Sequence, residues 1–121
     1  MNRVSSHRDL DVWRLGMDLV VDIYRVSATF PSDERFGLTS QIRRAAVSVP
    51  ANIAEGNSRS TRKDYAAFLA VAKGSLAEIE TFLLIAIRLG YVTEERVVAE
   101  LALLTRISKM LRSLRARLLA P

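Results

Sequence analysis

Cysteine is absent from the 121-residue chain, so neither a disulfide nor a thiolate metal site can form. A reducing cytoplasm suits such a chain, and a cytoplasmic location is expected. Proline and glycine are scarce, at three and five residues, and aromatics make up 7%. That composition argues against disorder and against a turn-rich β protein. Histidine occurs once, at His7, within an N-terminal lead-in (residues 1–8) expected to fray. One histidine cannot support a Ser-His-Asp or Cys-His set. It also cannot supply the Glu-x-x-His pairs with which helical bundles hold two metals. No glycine-rich phosphate loop of Walker or Rossmann spacing is present. No uncharged run approaches the roughly 18 apolar residues of a membrane span, and "MNRVSSHRDLDVW" has no apolar core of signal-peptide type. These absences point to a protein that is not an enzyme, needs no metal or cofactor, and does not enter a membrane.

What the chain has is apolar surface and positive charge. Half of its residues are hydrophobic, and 18 Lys and Arg face 13 Asp and Glu, giving +5 and a pI near 10.2. An anionic partner follows, with nucleic acid the commonest for a small cytoplasmic protein. The same charge also serves solubility alone.

The apolar residues recur at helical spacing, and no useful strand alternation appears. Four helices are expected, over about 9–29, 38–55, 62–89 and 94–119, in a single domain spanning 1–121. In the first, Leu10, Trp13, Met17, Val20 and Tyr24 share a face. Val12, Leu15, Leu19, Ile23, Val26 and Phe30 form a second stripe, and Phe30-Pro31 ends the helix. Gly56-Asn57 suits a left-handed cap on the second helix. The third starts after Ser60 or Thr61 and stops at Gly90. Its seam is Tyr65, Leu69, Ala72, Leu76, Ile79, Leu83 and Ala86. Phe68, Val71, Ser75, Glu78, Phe82, Ile85 and Leu89 run beside that seam. Thr93 caps the fourth, whose stripe is Val97, Leu101, Leu104, Ile107, Leu111, Leu114 and Leu118. Short connections make neighbouring helices antiparallel. The fold class is therefore all-α, an up-and-down four-helix bundle. Two stripes on one helix exceed what a solitary bundle hides, which predicts a homo-oligomer.

The second helix also carries a polar row. Leu38, Ile42, Ala45, Ala46, Val49 and Ile53 share an apolar arc, and Gln41, Arg44, Ser48, Asn52 and Glu55 line up beside it. Pro50 lies off both arcs and is expected to bend the helix, with the Ser48 hydroxyl turning back to a backbone carbonyl. The row is either a solvated flank or an internal seam. As a seam, it has Arg44 facing Glu78 or Glu80, and Asn52 and Glu55 holding the turn after Gly56.

The runs "FGLTSQIRRAAVSVPANIAEGNSRS" and "FLAVAKGSLAEIETFLLIAIRLGY", with "LDVWRLGMDLVVDIYRVSATFP" before them, resemble the four-helix-bundle family encoded in intervening sequences of bacterial 23S rRNA. The matching positions are Gln41, Arg43, Arg44, Ala45, Ser48, Pro50, Asn52, Ile53, Glu55, Gly56, Ser75 and Glu78. The resemblance implies an up-down bundle assembling into a homopentameric ring. It also points to similar proteins that serve diversity-generating retroelements as basic pentamers binding nucleic acid and a reverse transcriptase.

The basic residues are the remaining candidates for function. From Leu101 to the C-terminus the cations are Arg106, Lys109, Arg112, Arg115 and Arg117, with no acid. All fall outside the leucine stripe on a helical wheel, on the opposite side. Arg59, Arg62 and Lys63 form a second cluster before the third helix, and Arg43 and Arg44 add to the field, Arg44 unless it is engaged internally. Such clusters bind phosphates with salt-dependent, largely sequence-independent affinity. The same pattern also describes a solvated charged face or a helix lying on another anionic surface. Few aromatics accompany the cations, so stacking on single-stranded bases is not indicated. The leading expectation is an oligomer that binds RNA or DNA, structured RNA or an RNA–protein complex foremost. The alternative is an oligomeric scaffold for a protein such as a reverse transcriptase.

Overall fold

The computed structural model describes His7 and residues 10–121. Helix α1 spans Asp11–Ser27, α2 Leu38–Asn57, α3 Arg62–Arg88 and α4 Glu94–Leu119, and a 3-10 turn at Ser32–Glu34 joins the first two. No strand occurs among the described residues. Each helix packs on two others: α1 on α2 and α4, and α3 on α2 and α4. The backbones of the diagonal pairs stay apart, so the helices stand at the corners of a square with antiparallel neighbours. None of these helices is long and apolar enough to cross a membrane.

The expected stripes meet on the axis of that square. Leu19 and Ile23 from α1, Ile42, Val49 and Ile53 from α2, Leu69, Ile79 and Leu83 from α3, and Val97 and Ile107 from α4 are all 0% exposed. Burying each such side chain is worth about 1.5–3 kcal/mol before entropy is counted. Thr61 and Thr93 accept hydrogen bonds from the amides of Asp64 (3.1 Å) and Arg96 (3.2 Å), as Ncap residues should. Gly90 takes φ +77°. The Tyr91 amide then reaches the Ala86 carbonyl (2.9 Å) and the Gly90 amide that of Ile87 (3.0 Å), the two bonds of a Schellman cap.

Three expectations are corrected. First, α1 ends at Ser27 rather than Thr29. Hydroxyls of Ser27 and Thr29 bond the carbonyls of Tyr24 and Val26, closing the helix before Pro31 acts. Its expected start at residue 9, and the lead-in other than His7, lie outside the described residues. His7 packs edge-on against Trp13, with ring centroids 5.0 Å apart. Second, Gly56 is not a left-handed cap. The helix runs on to Asn57, and Gly90 is the only described residue with positive φ. Glycine is required there because a Cβ would lie 2.9 Å from Tyr65 Cδ1 and 3.0 Å from Phe68 Cβ. Third, Pro50 is not off the packed side. It is buried and α2 continues through it. A Cβ on Gly16 of α1 would sit 3.5 Å from the Pro50 ring. Proline gives up a helical hydrogen bond, and here its ring becomes a contact surface for α1.

On α1 the second stripe is the one that faces the core and the Leu10–Tyr24 stripe stays partly at the surface, whereas on α3 the second stripe stays largely at the surface, Ser75 excepted. Met17 (44% exposed) and Tyr24 (42%) on α1, and Val71 (53%) and Leu89 (54%) on α3, flank the outer edge of α2. Phe36, in the connection before α2, is 86% exposed.

Candidate nucleic-acid interface

The polar row on α2 is an internal seam in part. The Ser75 hydroxyl on α3 donates to Ser48 Oγ at 2.8 Å. Asn52 Nδ2 donates to the same Oγ at 2.9 Å and to the Ser48 carbonyl at 2.8 Å. Ser48 is thus an acceptor at the centre of a small network, and its expected bond back to the backbone is supplied by Asn52 instead. On the other flank Arg43 donates to Ser27 Oγ (2.8 Å) and the Tyr24 carbonyl (3.2 Å), with its guanidinium 4.5 Å above the Tyr24 ring. Arg43 therefore fastens α2 to the last turn of α1 and is not a free cation.

Arg44 does not form the expected pair. Gln41, Arg44, Ser48, Ser75, Glu78 and Phe82 line one groove between α2 and α3, yet no ion pair joins Arg44 to Glu78 or Glu80 among the described residues. Both Arg44 and Glu78 are exposed, so water screens them and nothing forces them together. Glu55 pairs with Arg59 at 3.0 Å and its carbonyl accepts from the Ser58 hydroxyl at 2.7 Å. That holds the turn after α2, as expected of Glu55, while Asn52 points back to Ser48.

The two basic clusters, far apart in sequence, converge on one end of the bundle. Arg115 on α4 donates its Nε to the Ala66 carbonyl on α3 at 3.1 Å, which sets the end of α4 beside the start of α3. Arg62, Lys63, Arg112 and Arg117 are exposed there and make no ion pair among the described residues. Of the acids at this end, Glu55 holds Arg59 and Asp11 lies 3.8 Å from Arg14, while the Asp64 carboxylate is exposed and makes no ion pair among the described residues. Asp33, Glu34, Glu94 and Glu95 gather at the opposite end, where α4 begins.

Two predicted contacts are corrected. Arg115 is not opposite the leucine stripe; it is half-buried and spends its Nε on α3. Arg59 is committed locally, ion-paired to Glu55 with its guanidinium 4.6 Å over the Phe68 ring. One residue was missed. Lys73 on α3 lines a groove with Ser108, Lys109 and Arg112 of α4. It sits between Leu69 and Leu76 of the seam, and that flanking register was the signal available. Arg106 is exposed on the outer face of α4, and Lys109 borders the grooves on both sides of that helix.

No group of His, Asp or Glu side chains able to hold a metal occurs among the described residues. The arrangement presents exposed cations and hydroxyls, groups able to donate to phosphate oxygens.

The sequence profile of the 23S rRNA-intervening sequence protein family matches residues 8–113. The chain belongs to the 23S rRNA-intervening sequence protein family. A crystal structure of a protein with unknown function from the S23 ribosomal protein family of Bacteroides thetaiotaomicron is similar to it. The two are 28% identical with a TM-score of 0.80, over 86% of this chain and 97% of that one. None of the curated proteins compared matches the chain. Membership of the 23S rRNA-intervening sequence family agrees with the four-helix architecture.

Proposed function

We propose that this member of the 23S rRNA-intervening sequence family is a non-enzymatic, self-assembling protein that binds nucleic acid through its phosphates. The observation that carries the reading is the convergence of Arg62 and Lys63 with the outer face of α4 at one end of the bundle. That face bears Arg106, Lys109, Arg112 and Arg117 and no acid after the buried Glu100. Neutralising phosphates releases condensed counterions, so affinity falls steeply with salt.

Self-assembly is supported by the apolar surface left over. Met17, Tyr24, Val71, Leu89, Val98 and above all Phe36 stay in water in the single chain. The family resemblance implies five copies in a ring. Five basic ends sharing one polyanion would bind far more tightly than one.

A mobility-shift or filter-binding titration between about 50 and 200 mM salt tests the reading, with an expected affinity loss of tenfold or more. Arg62→Glu with Arg112→Glu should abolish binding while leaving helicity intact. Absence of binding at low salt would overturn it. The exposed Phe36 favours a second reading, a scaffold for a protein partner such as a reverse transcriptase. Capture of a partner that survives nuclease treatment would favour that scaffold.

A further inference from the structure

We propose that α4 is a ridge that lies in the major groove of B-form DNA, with its two flanks facing the two phosphate backbones. The proposal rests on the phosphate-binding reading above and narrows it to one polymer and one form.

The ridge follows from the square packing. The backbones of the α1–α3 and α2–α4 diagonals stay apart while neighbouring backbones come close, so α4 is a convex corner. With axes about 8–10 Å apart, a corner helix stands roughly 6–7 Å beyond the line joining its two neighbours. A groove runs along each flank of α4. Lys73, Ser108, Lys109 and Arg112 line the one toward α3. Lys109, Ser113 and Arg117 line the one toward α1. Two cation-lined grooves flanking one helix match two backbones better than one strand. The acids in these grooves are few. Glu80 lies toward the acidic end in the first. Asp11, in the second, lies 3.8 Å from the Arg14 guanidinium.

The crest between the grooves is narrow. Ala102, Arg106, Lys109, Ser113, Ala116 and Arg117 are all exposed, so small residues separate the cations and nothing bulky holds a base edge away. From Arg106 to Arg117 the crest is about 16 Å long, comparable to four or five base-pair steps of about 3.4 Å. B-DNA's major groove, about 12 Å wide and 8.5 Å deep, admits such a helix. The major groove of A-form RNA is deep and too narrow, and its minor groove is shallow. Neither groove lining contains an aromatic side chain, so a single strand finds no stacking platform.

Fluorescence anisotropy with the intact protein and a 20-mer tests this, using the same sequence as DNA duplex, RNA duplex and single-stranded DNA. The DNA duplex is expected to bind about tenfold or more tightly than either. Methyl green, which occupies the major groove, should compete, and netropsin, which occupies the minor groove, should not. Lys73→Gln and Arg117→Gln, on opposite flanks, should each weaken binding about tenfold and lower the salt slope by about one. Arg88→Gln, at the far end of α3, should change nothing. If RNA or single strands bind as well as duplex DNA, if netropsin competes, or if only one flank matters, the ridge proposal falls while phosphate binding stands. If no nucleic acid binds at low salt, both fall.

Discussion

Arg115 and Ala66 are joined across the α3–α4 interface by a single hydrogen bond of 3.1 Å from guanidinium to carbonyl. This separates two arginines that look equivalent in sequence. Arg115 is half-buried and positions the end of α4, whereas Arg112 is exposed and makes no ion pair among the described residues. Arg115→Ala should lower stability by about 1 kcal/mol, typical of a hydrogen bond made by a charged group near the surface. Arg112→Ala should leave stability within about 0.5 kcal/mol of wild type and weaken nucleic-acid binding more. Urea midpoints beside anisotropy titrations make the comparison, and equal effects of both on stability would refute the distinction.

Gly56 and Gly74 predict opposite outcomes for the same substitution. Both lie inside helices, where Ala is favoured over Gly by about 1 kcal/mol. At Gly74 a Cβ meets nothing within 4 Å, so Gly74→Ala should stabilise the monomeric unit by about 0.5–1 kcal/mol. At Gly56 the same Cβ would come within 2.9 Å of Tyr65 Cδ1 and 3.1 Å of the Tyr65 carbonyl. Overpacking of that kind costs about 1–3 kcal/mol, so Gly56→Ala should destabilise. Thermal melts of the two variants decide it, and a stabilising Gly56→Ala would show that α2 and α3 can part locally at no cost.

These glycines mark where sequence reading stops. Residues deep in a stripe, such as Ile42, Ile53, Leu69 and Ile107, were placed correctly because 3.6-residue periodicity alone sets their direction. The caps at Thr61, Thr93 and Gly90 were legible for a similar reason, since capping is local chemistry. Gly56 and Pro50 were misread because a wheel gives an angle on one helix and not the height at which another helix crosses it. Gly56 faces Tyr65 and Phe68, and Pro50 faces Gly16, contacts that exist only after packing. The candidate site divided along the same line. Arg62, Lys63, Arg106, Lys109, Arg112 and Arg117 needed only to be exposed, and they are. Arg43, Arg59 and Arg115 sit at helix borders, where a long side chain chooses between water and a neighbour. Lys73 joined the site only because α4 lies against its flank of α3.

Glu34 and Tyr91 give the fold a measurable response to pH. Glu34 Oε1 accepts the Leu38 amide at 3.1 Å, and its Oε2 accepts the Tyr91 hydroxyl at 2.7 Å. The Leu38 amide first, and then the Tyr91 hydroxyl, hold the Glu34 carboxyl below its ordinary value of 4.5. The bond to Glu34 first, with burial and nearby acids adding, pushes Tyr91 above its ordinary 10.0. A lowered carboxyl contributes stability that is present above 4.5 and lost as pH falls through its folded value. A raised phenol contributes stability that is present below 10.0 and lost as pH rises through its folded value. Tyr91→Phe should therefore lower Tm at neutral pH, with the deficit shrinking in acid and in strong alkali. No deficit at any pH from 3 to 11 would mean that packing against Phe30, whose ring lies 5.8 Å away and which the substitution keeps, is all that Tyr91 contributes.

Glu100 is the one buried acid in the core-facing stripe of α4, only 7% exposed. Its Oε1 is shielded from water and accepts no hydrogen bond, and the nearest cation is Arg96 Nη1 at 3.8 Å. That separation gives Coulombic attraction without the hydrogen bond that would offset desolvation, the regime in which a buried pair is often worth less than an apolar replacement. Glu100→Met, close in shape, should raise stability by about 1 kcal/mol or more. Arg96→Ala in the wild-type background should lower it, because it leaves the carboxylate uncompensated. In the Glu100→Met background the same Arg96→Ala should be nearly neutral, since Arg96 is itself about half exposed. A double-mutant cycle by urea denaturation reads this coupling directly. Loss of stability in Glu100→Met would mean that the attraction between Glu100 and Arg96 outweighs the desolvation of the carboxylate.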